Sequence, residues 1–345
     1  MCLYNSLPEG KFIELNGLES SGKTTLAFLI ASDYMKKEVV RNSEAPRKIL
    51  FVDAEATCDP DWAFKSTGYD MNSNQVETIY IQGSGQTAEE YFDAIRELVS
   101  TGQIGLVIFD SLTMLVSQQV NDESFEKKDM GTVAKALGDF CKRCVGVFNR
   151  HNCTFVGING LTENISGYGE LFVTPGGRTW KRACAVRIRV KKDKPFDIDG
   201  NELKNTAESP AGNVIQIFIE KTKVCKWDRK LGFTNLNYDR GIDLIQDTVE
   251  CALYFGLIDN SVQGSFKLID PDTGEVLLDD EGNELKIRGK KNIKPYFEEH
   301  PQFFKQLYDK CYEVLSKKED SNIIAFEKLL NVNVNEVIGE HSDED

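Results

Sequence analysis

Short apolar runs alternate with segments of helical spacing through the first 160 residues. The runs predict five buried strands, at Phe12–Leu15, Ile49–Val52, Thr78–Ile81, Leu106–Phe109 and Thr154–Ile158. The segments between them predict helices over Thr24–Tyr34, Ala88–Val99 and Val133–Phe148. Strands and helices in alternation are typical of a mostly parallel sheet with helices on both faces. This part of the chain is therefore predicted to have an α/β fold.

The pattern changes after about residue 183. Ala185–Val190 and Val214–Glu220 predict two more strands, paired antiparallel, and Ile242–Phe255 predicts a closing helix. Residues 264–293 then alternate short strands with turn sequences, and Gln302–Ser316 predicts a helix. We therefore expect three parts, which are a core over residues 1–258, a small α+β domain over 259–330 and an acidic, disordered tail over 331–345.

Composition and the N-terminal sequence argue against secretion and membrane insertion. The chain is 41% hydrophobic and 28% charged, which is typical of globular proteins. No apolar run approaches the roughly 18 residues of a membrane span, and the start has no basic segment followed by an apolar one. Nine cysteines without an export signal predict reduced thiols and a cytoplasmic location. Cys141 and Cys144 fall in a predicted helix and are interpreted as buried thiols rather than zinc ligands.

The charge is unevenly distributed along the chain. The formal net charge of −14 disfavours a nucleic-acid partner by itself. Seven acidic residues without a basic one lie in 270–284, however, and five more lie in 336–345. Residues 178–194 carry the opposite pattern, in which eight basic residues oppose Asp193 alone: Arg178, Lys181, Arg182, Arg187, Arg189, Lys191, Lys192 and Lys194. A local basic segment on an acidic chain is a pattern that needs an explanation.

Residues 17–24 form a complete phosphate-binding loop pattern, G-x-x-x-x-G-K-[ST]. Its glycines let backbone N–H groups close around phosphates, Lys23 supplies a positive charge to the terminal phosphates, and Thr24 supplies a hydroxyl for Mg²⁺. The pattern follows a predicted strand and opens a predicted helix, as this mechanism requires. The residues expected to bind the nucleotide here are Gly17, Glu19, Ser20, Ser21, Gly22, Lys23, Thr24 and Thr25.

Two later strands deliver acids beside this loop. The strand Leu106–Phe109 ends at Asp110, a carboxylate that can hold the hydration shell of Mg²⁺. The strand Ile49–Val52 leads to Glu55, which is the candidate to orient and deprotonate a water in line with the γ-phosphate. From spacing alone, a helix-capping or solvated acid is the preferred interpretation of Glu55.

Several segments, in this order, resemble those of RecA-family recombinases, including bacteriophage members. The segments are Gly17–Thr25, Asp53–Pro60, Asp110–Ser111, Met130–Gly131, Ile158–Asn159, Thr174–Gly177 and Glu220–Lys223. The resemblance covers most of residues 7–260. It implies a RecA-like ATPase core with a mostly parallel central sheet, followed by a small α+β domain and an acidic terminus. For a phage-encoded chain, the expected location is the cytoplasm of the bacterial host.

The resemblance implies roles at matching positions. Glu55 would be the catalytic carboxylate and Asp110 the metal-associated acid, with ATP and Mg²⁺ as cofactors. Asp59 would contact the adenine amino group. Trp62 would stack on the adenine ring, where a Trp in place of the family's usual Tyr preserves an aromatic face.

The resemblance also implies self-assembly. Lys221 and Lys223 would reach the γ-phosphate of an ATP bound by a neighbouring subunit, although from composition alone they are equally well ordinary strand-end lysines. The sequence begins almost at the turn Leu7–Gly10, and we therefore expect the arm with which family members dock onto the next subunit to be missing. We expect filament formation to be weaker or absent unless the true start lies upstream.

Two loops line the DNA channel in this family. The first would lie near Gln118–Met130, with Met130 as a wedge between bases, and the second would run over about Thr162–Arg182. Cationic contacts from a glycine-rich loop give sequence-tolerant, salt-dependent binding. The residues expected to contact DNA are Met130, Gly176, Gly177, Arg178, Lys181 and Arg182. The remaining lysines, Lys191, Lys192 and Lys194, are interpreted as a solvated strand edge.

One departure from the family pattern affects coupling between the two sites. The family places a Gln after the Ile-Asn pair that precedes the second loop, where it senses the γ-phosphate and transmits this to DNA binding. This chain has Gly160 there, which cannot make that hydrogen bond, and Asn159 is the candidate substitute.

Two functions remain open from sequence. The leading hypothesis is a DNA-dependent ATPase that binds single- and double-stranded DNA and promotes homologous pairing and strand exchange in recombination and repair, with a single-strand-binding protein or a loader as further partners. The alternative is a recombinase paralogue that binds ATP and a partner without forming its own filament. A hexameric helicase is less favoured, because nothing resembles the additional helicase domain.

Overall fold

The computed structural model describes residues 7–83, 85–118, 131–164, 171–198, 200–225, 230–270, 273–278 and 281–314. These residues form two compact units, one over Leu7–Asp243 and one that begins at Leu244. The predicted tail over 331–345 and most of the predicted first DNA loop, including Met130, lie outside the described residues.

The larger unit is built on a central sheet. In chain order its strands are β1 (Phe12–Gly17), β2 (Lys48–Asp53), β3 (Thr78–Gln82), β4 (Ile104–Asp110), β5 (Thr154–Gly160), β8 (Val186–Phe196), β9 (Gly212–Thr222), β10 (Leu231–Asn237) and β11 (Gly241–Ile242). Across the sheet they are ordered β3-β2-β4-β5-β1-β8-β9-β10-β11. The six strands from β3 to β8 are parallel, and the pairings beyond β8 are antiparallel. This arrangement confirms the predicted α/β class and the antiparallel pairing of β8 with β9.

Helices cover the sheet, and a small hairpin stands apart from it. The helices are α1 (Lys23–Arg41), α2 (Pro60–Thr67), α3 (Ala88–Ser100), α4 (Thr132–Arg150) and α5 (Gly177–Ala183), with a 3₁₀ turn at Leu112–Met114. The hairpin pairs β6 (Thr162–Glu163) with β7 (Phe172–Val173). Helix α1 runs seven residues beyond the predicted end at Tyr34, because the carboxylate of Glu38 is buried and accepts hydrogen bonds from Arg47 instead of facing water.

Aromatic side chains fix β1 in the core. Phe12 packs against Phe140 of α4 and Phe155 of β5, with ring centroids 5.6 and 5.2 Å apart. The same cluster buries the thiols of Cys141 and Cys144 in α4, as predicted. Buried aromatic pairs of this kind stabilise the packing beyond the area that they bury. The start of β1 is therefore anchored in the core of the larger unit.

The predicted burial of β3 is wrong. Tyr80, near its middle, is exposed, and none of the five residues of the strand is classed as buried. The reason is its position, because β3 is the outermost strand and pairs only with β2 among the described strands. An apolar run does not distinguish an edge strand from a central one.

The second unit contains a three-stranded antiparallel sheet with helices. Its elements are α6 (Leu244–Phe255), β12 (Ile258–Asp259), β13 (Ser265–Leu268), β14 (Lys286–Arg288), a 3₁₀ turn at Lys290–Asn292, α7 (Ile293–Glu299) and α8 (301–314). Val249 and Ala252 of α6 lie in the same apolar cluster as Phe266 and Phe297. For this reason the compact unit begins before α6, whereas the boundary expected from sequence follows this helix.

Across the described ranges, no helix combines the length and apolar character needed to cross a bilayer.

Candidate nucleotide site and nucleic-acid interface

The phosphate loop connects β1 to α1 in the expected geometry. Gly22 has a left-handed φ of 92°, and a Cβ at this position would lie 2.7 Å from Cδ1 of Ile215. A Cβ at Gly17 would collide with the backbone carbonyl oxygen of Val190. Both glycines are thus required sterically. Within the described part of the chain no side chain caps the N-terminus of α1, so no such cap competes with an anion for its first N–H groups.

The remaining loop residues divide between surface and interior. Glu19 and Ser20 are exposed, whereas Ser21 and Thr25 are buried. The hydroxyl oxygen of Ser21 is buried without a hydrogen-bond partner among the described residues. Buried polar atoms in native proteins are normally paired. An orphaned hydroxyl beneath the loop fits a site completed by a bound polyanion.

The structure brings Lys23, Thr24 and Asp110 together. The Lys23 ammonium donates a hydrogen bond to the carbonyl oxygen of Leu18 at 2.7 Å, so it folds back over its own loop. The Thr24 hydroxyl donates to Oδ2 of Asp110 at 2.7 Å. Strand β1, which precedes the phosphate loop, and strand β4, which ends at Asp110, run in the same direction. Their carboxyl ends therefore reach one edge of the sheet. A hydroxyl and a carboxylate are hard oxygen ligands of the kind that Mg²⁺ prefers, so these residues fit the metal.

Ionisation of the Asp110 carboxyl is energetically unfavourable in this position. Burial raises its pKa to about 6, and the nearby carboxylates of Glu55 and Asp53 act in the same direction. The hydrogen bond from Thr24 and the charge of Lys23 oppose the shift. Burial also lowers the pKa of Lys23. A divalent cation would offset the excess of negative charge, which gives the site an electrostatic reason to bind one.

Replacement of Asp110 by Asn is expected to stabilise the nucleotide-free protein by about 1–3 kcal/mol at pH 7.5, because it removes a buried charge. The folded-state pKa lies above the unfolded value, so the wild-type penalty is fully present above about pH 6 and disappears as the pH falls towards about 4. Urea denaturation of both proteins between pH 4 and 8 measures this. Asp33→Asn, which removes an exposed charge paired with Lys37, serves as the control. A variant no more stable than wild type at pH 7.5 would contradict the burial argument.

Glu55 contacts Ser111, the residue that follows Asp110 in the chain. Ser111 donates a hydrogen bond from its Oγ to Oε1 of Glu55 at 2.5 Å. The backbone that carries Glu55 is held by Asp53, whose buried carboxylate accepts hydrogen bonds from the N–H of Cys58 and the hydroxyl of Tyr80. The contact with Ser111 argues against the helix-capping interpretation of Glu55, whereas the exposure of its side chain agrees with that of a solvated acid. Its carboxylate faces the sheet edge that carries Asp110.

Asp59 is the residue that caps α2. Its Oδ1 accepts hydrogen bonds from the N–H groups of Asp61 and Trp62 at 2.9 and 3.1 Å. Pro60 occupies the first turn of the helix, where its missing N–H costs nothing. Trp62 is half-buried in the same turn. The two residues predicted to contact adenine therefore lie together at one helix start, and their nucleotide role stays a prediction.

Lys221 and Lys223 contact the end of α5. The ammonium of Lys221 donates to the carbonyl oxygen of Lys181 at 2.5 Å, and that of Lys223 donates to the carbonyl oxygen of Arg182 at 2.6 Å. Cations at the C-terminus of a helix satisfy free carbonyls and interact favourably with the helix dipole. Within one subunit both lysines are thus helix caps, and their reach to a neighbour's ATP stays a prediction.

The predicted second DNA loop contains regular structure. Its base is the hairpin of β6 and β7, and the part of it from Gly177 to Arg182 belongs to helix α5. Gly176 has a φ of 96° and begins the helix. The helix forms because Trp180 is fully buried and donates a hydrogen bond to the buried carboxylate of Glu14. The other predicted DNA contacts stand on this helix, namely Gly177, Arg178, Lys181 and Arg182.

A buried charge network was missed by sequence reasoning. Glu14 in β1 is fully buried and accepts hydrogen bonds from Nε of Arg187 at 2.5 Å and from Nδ2 of Asn159 at 2.9 Å. Arg187 also pairs with Glu220 at 3.1 Å, and Arg189 pairs with the same carboxylate. The interpretation of residues 178–194 as one basic segment is therefore wrong at Arg187 and Arg189. The one sequence feature that could have indicated the network is an acidic residue, Glu14, inside the apolar run of β1.

The side-chain N–H groups of Asn159 are engaged within the subunit. Its side-chain N–H donates to Glu14 and to the carbonyl oxygen of Pro175 at 3.0 Å. The residue is fully buried, and its Oδ1 has no hydrogen-bond partner among the described residues. The role of Asn159 as a substitute γ-phosphate sensor stays a prediction.

The geometry defines a class of protein. A phosphate loop between β1 and α1, an acid at the end of β4 and a second carboxylate after β2 converge at one edge of a mostly parallel sheet, which is the arrangement of P-loop nucleoside triphosphatases. Residues 4–243 match the family model described as the RecA N-terminal domain. The chain therefore belongs to the RecA family, and its core is RecA-like.

Relatives that carry the name Protein RecA match most of the chain. The protein from Mycoplasma mobile is 26% identical over 322 residues, which cover 93% of this chain and 86% of the relative. The protein from Aquifex aeolicus is 26% identical over 308 residues, or 89% and 78% of the two chains. The protein from Ruminococcus albus is 28% identical over 305 residues, or 88% and 67%.

Proposed function

We propose that the chain is an ATP-dependent recombinase that assembles on single-stranded DNA and promotes homologous pairing and strand exchange with duplex DNA in recombination and repair. The convergence of Lys23, Thr24 and Asp110 with Glu55 at one sheet edge is the observation that carries this proposal. Membership of the RecA family directs it to recombination rather than to another use of ATP.

Each site residue has its own role in the proposed hydrolysis of ATP. Lys23 and the first N–H groups of α1 would bind and orient the triphosphate, and Thr24 with Asp110 would hold Mg²⁺. Bound Mg²⁺ would neutralise charge on the β- and γ-phosphates. Glu55 orients a water and accepts its proton as the water attacks the γ-phosphate.

Asp59 and Trp62 contact the adenine, and Lys221 and Lys223 reach the γ-phosphate held by the next subunit.

Helix α5 supplies the cations for DNA. Arg178 and Arg182 are exposed and Lys181 is half-buried, whereas Arg187 and Arg189 are neutralised by carboxylates. Cations without a carboxylate partner among the described residues attract phosphates regardless of base sequence, so the binding is sequence-tolerant and falls with added salt.

The double variant Arg178→Ala/Arg182→Ala is expected to bind single-stranded oligothymidylate at least about tenfold more weakly than wild type at 50–100 mM salt. Loss of two phosphate contacts also lowers the slope of log affinity against log salt by about 1.4. Fluorescence anisotropy with a labelled oligonucleotide and a non-hydrolysable ATP analogue measures both quantities. Lys191→Ala/Lys204→Ala removes the same charge from exposed positions elsewhere and is the matched control. Equal losses in the two variants would remove α5 from the interface.

Strand exchange itself tests the proposal. The chain, ATP and Mg²⁺ are mixed with a single strand and a labelled duplex, either homologous or unrelated. The proposal predicts a displaced strand only with the homologous duplex. Gly160 favours one alternative, a paralogue that binds ATP and a partner without strand exchange, because it lacks the side chain that couples the sites in the family. Binding of ATP and DNA without a displaced strand would support that alternative and exclude the recombinase.

A further inference from the structure

Three hydrogen bonds join Glu55 to the backbone of Gly160. Ser111 Oγ lies 2.5 Å from Oε1 of Glu55, Thr113 Oγ1 lies 2.9 Å from Ser111 Oγ, and the N–H of Gly160 donates to Thr113 Oγ1 at 3.1 Å. We refer to Glu55, Ser111, Thr113 and Gly160 as the relay. It is distinct from the direct contact between Thr24 and Asp110 at the same edge.

The direction of every bond in the relay is fixed. Ser111 has one hydroxyl proton and donates it to the carboxylate of Glu55, so it can only accept from Thr113. Thr113 therefore donates its own proton to Ser111 and accepts from the N–H of Gly160. All three donors point towards the carboxylate. Hydrogen bonds aligned in one direction polarise and strengthen one another, and the negative charge at the end of the relay reinforces this.

The fold places the two ends of the relay in different parts of the proposed mechanism. Ser111 directly follows β4, and Thr113 lies in the 3₁₀ turn after it. Gly160 is the last residue of the neighbouring strand β5, two residues before the hairpin of β6 and β7 begins. One end is therefore the candidate catalytic carboxylate, and the other is the entry to the segment that leads to α5.

The Thr113 side chain lies where a side chain at position 160 would begin. A Cβ at Gly160 would lie 3.1 Å from Cγ2 and 3.2 Å from Oγ1 of Thr113, which is closer than most Cβ contacts in proteins. The Thr113 side chain therefore occupies the space beside β5 that a larger residue at position 160 would claim. The absence of a side chain at 160 makes room for a hydroxyl supplied from position 113.

We propose that Thr113 is a positioning residue that couples the nucleotide state at Glu55 to DNA binding through Ser111 and the backbone of Gly160. When the Glu55 carboxylate turns to a water at the γ-phosphate, the relay loses its terminal acceptor and the hold on the start of the hairpin segment weakens. No covalent bond forms or breaks. The proposal rests on the proposed function, because it assumes that ATP and DNA bind to the two ends.

The dissociation constant for a single-stranded oligonucleotide, measured with a non-hydrolysable ATP analogue and with ADP, tests the relay. For wild type, we expect the two dissociation constants to differ by at least about tenfold. We refer to the quotient of these two constants as the ratio. Thr113→Val keeps the shape and removes the hydroxyl, so the ratio should fall to within about twofold of one while affinity for the ATP analogue stays within about threefold. Thr113→Ser restores the hydroxyl and should restore the ratio. Thr101→Val, at the end of α3, removes an exposed hydroxyl and should leave the ratio unchanged.

The outcomes separate the relay from the proposed function. A wild-type ratio in Thr113→Val overturns the relay and leaves the recombinase proposal standing. A ratio lost equally in Thr113→Ser assigns Thr113 to packing and also overturns the relay. A ratio of one in wild type overturns the relay, and the strand-exchange experiment then decides the recombinase proposal separately. If Thr113→Val does not fold, as judged by its thermal transition, Ser111→Ala breaks the relay one bond earlier and must abolish the ratio instead.

Discussion

Replacement of Glu55 by Gln is expected to lower the rate of ATP hydrolysis by about 10²–10⁴-fold, which is the range typical of a lost general base. The amide keeps an oxygen that can accept from Ser111, so the local geometry is preserved, but it cannot take a proton from water. Affinity for ATP should stay within about threefold of wild type, because Lys23 and the phosphate loop are untouched. Steady-state phosphate release and equilibrium binding of a fluorescent ATP analogue measure the two quantities.

The matched control for this prediction is Glu97→Gln, which removes an exposed carboxylate from α3. It should hydrolyse ATP at the wild-type rate. If Glu55→Gln retains more than about a tenth of the wild-type rate, Glu55 is not the general base. If it loses ATP binding as well, the carboxylate has a structural role in the pocket.

Replacement of Arg187 by Met is expected to destabilise the larger unit by about 3–5 kcal/mol, the usual cost of removing one partner from a buried ion pair. Glu14 would stay fully buried with hydrogen bonds from Asn159 and Trp180 but without its cation. Glu220 would lose one of its two arginines. Because Trp180 anchors α5, the loss should also spread to the proposed DNA-binding helix. Equilibrium urea denaturation followed by circular dichroism measures the change.

Lys194→Met provides the control for this second prediction. Lys194 pairs with Glu202 at 2.5 Å, but both side chains are more than half exposed. Exposed ion pairs contribute about 0–1 kcal/mol. A loss of less than 1 kcal/mol in Arg187→Met would show that the Glu14 network is as weak as a surface pair.

Much of the nucleotide site was predictable because local sequence patterns determine it. The strand, loop and helix around Lys23 form one contiguous motif, and its glycines are required by close contacts with neighbouring strands. Asp110 ends an apolar strand, and parallel strands bring their carboxyl ends to one edge of the sheet. The meeting of Thr24 with Asp110 therefore follows from strand order, which the alternation of strands and helices already restricts.

The charge network was not predictable, because its partners are distant in sequence. Glu14 and Arg187 are separated by 173 positions, and only the pairing of β1 with β8 brings them together. From composition, Arg187 belongs to a basic segment that contacts solvent or DNA. A buried acid demands a partner, so Glu14 could have raised the question, but it could not have identified Arg187 as the answer.

Helix α5 and the relay illustrate a different limit of prediction from sequence. Glycines at 176 and 177 indicate a flexible loop, yet the burial of Trp180 stabilises a helix there. Tertiary burial overrides local propensity in such short elements. Thr113 carries no motif, and its role depends on a hydrogen bond to the backbone of the neighbouring strand. Only coordinates reveal a contact of this kind.

The most direct test of the central claim is the rate of ATP hydrolysis by the full chain at low salt, with and without single-stranded DNA. A triphosphate held by Lys23, Thr24 and Asp110 and cleaved with help from Glu55 predicts hydrolysis that rises on addition of DNA and is lost in Glu55→Gln. A rate that DNA does not change, or that equals the rate of Glu55→Gln, would contradict the account.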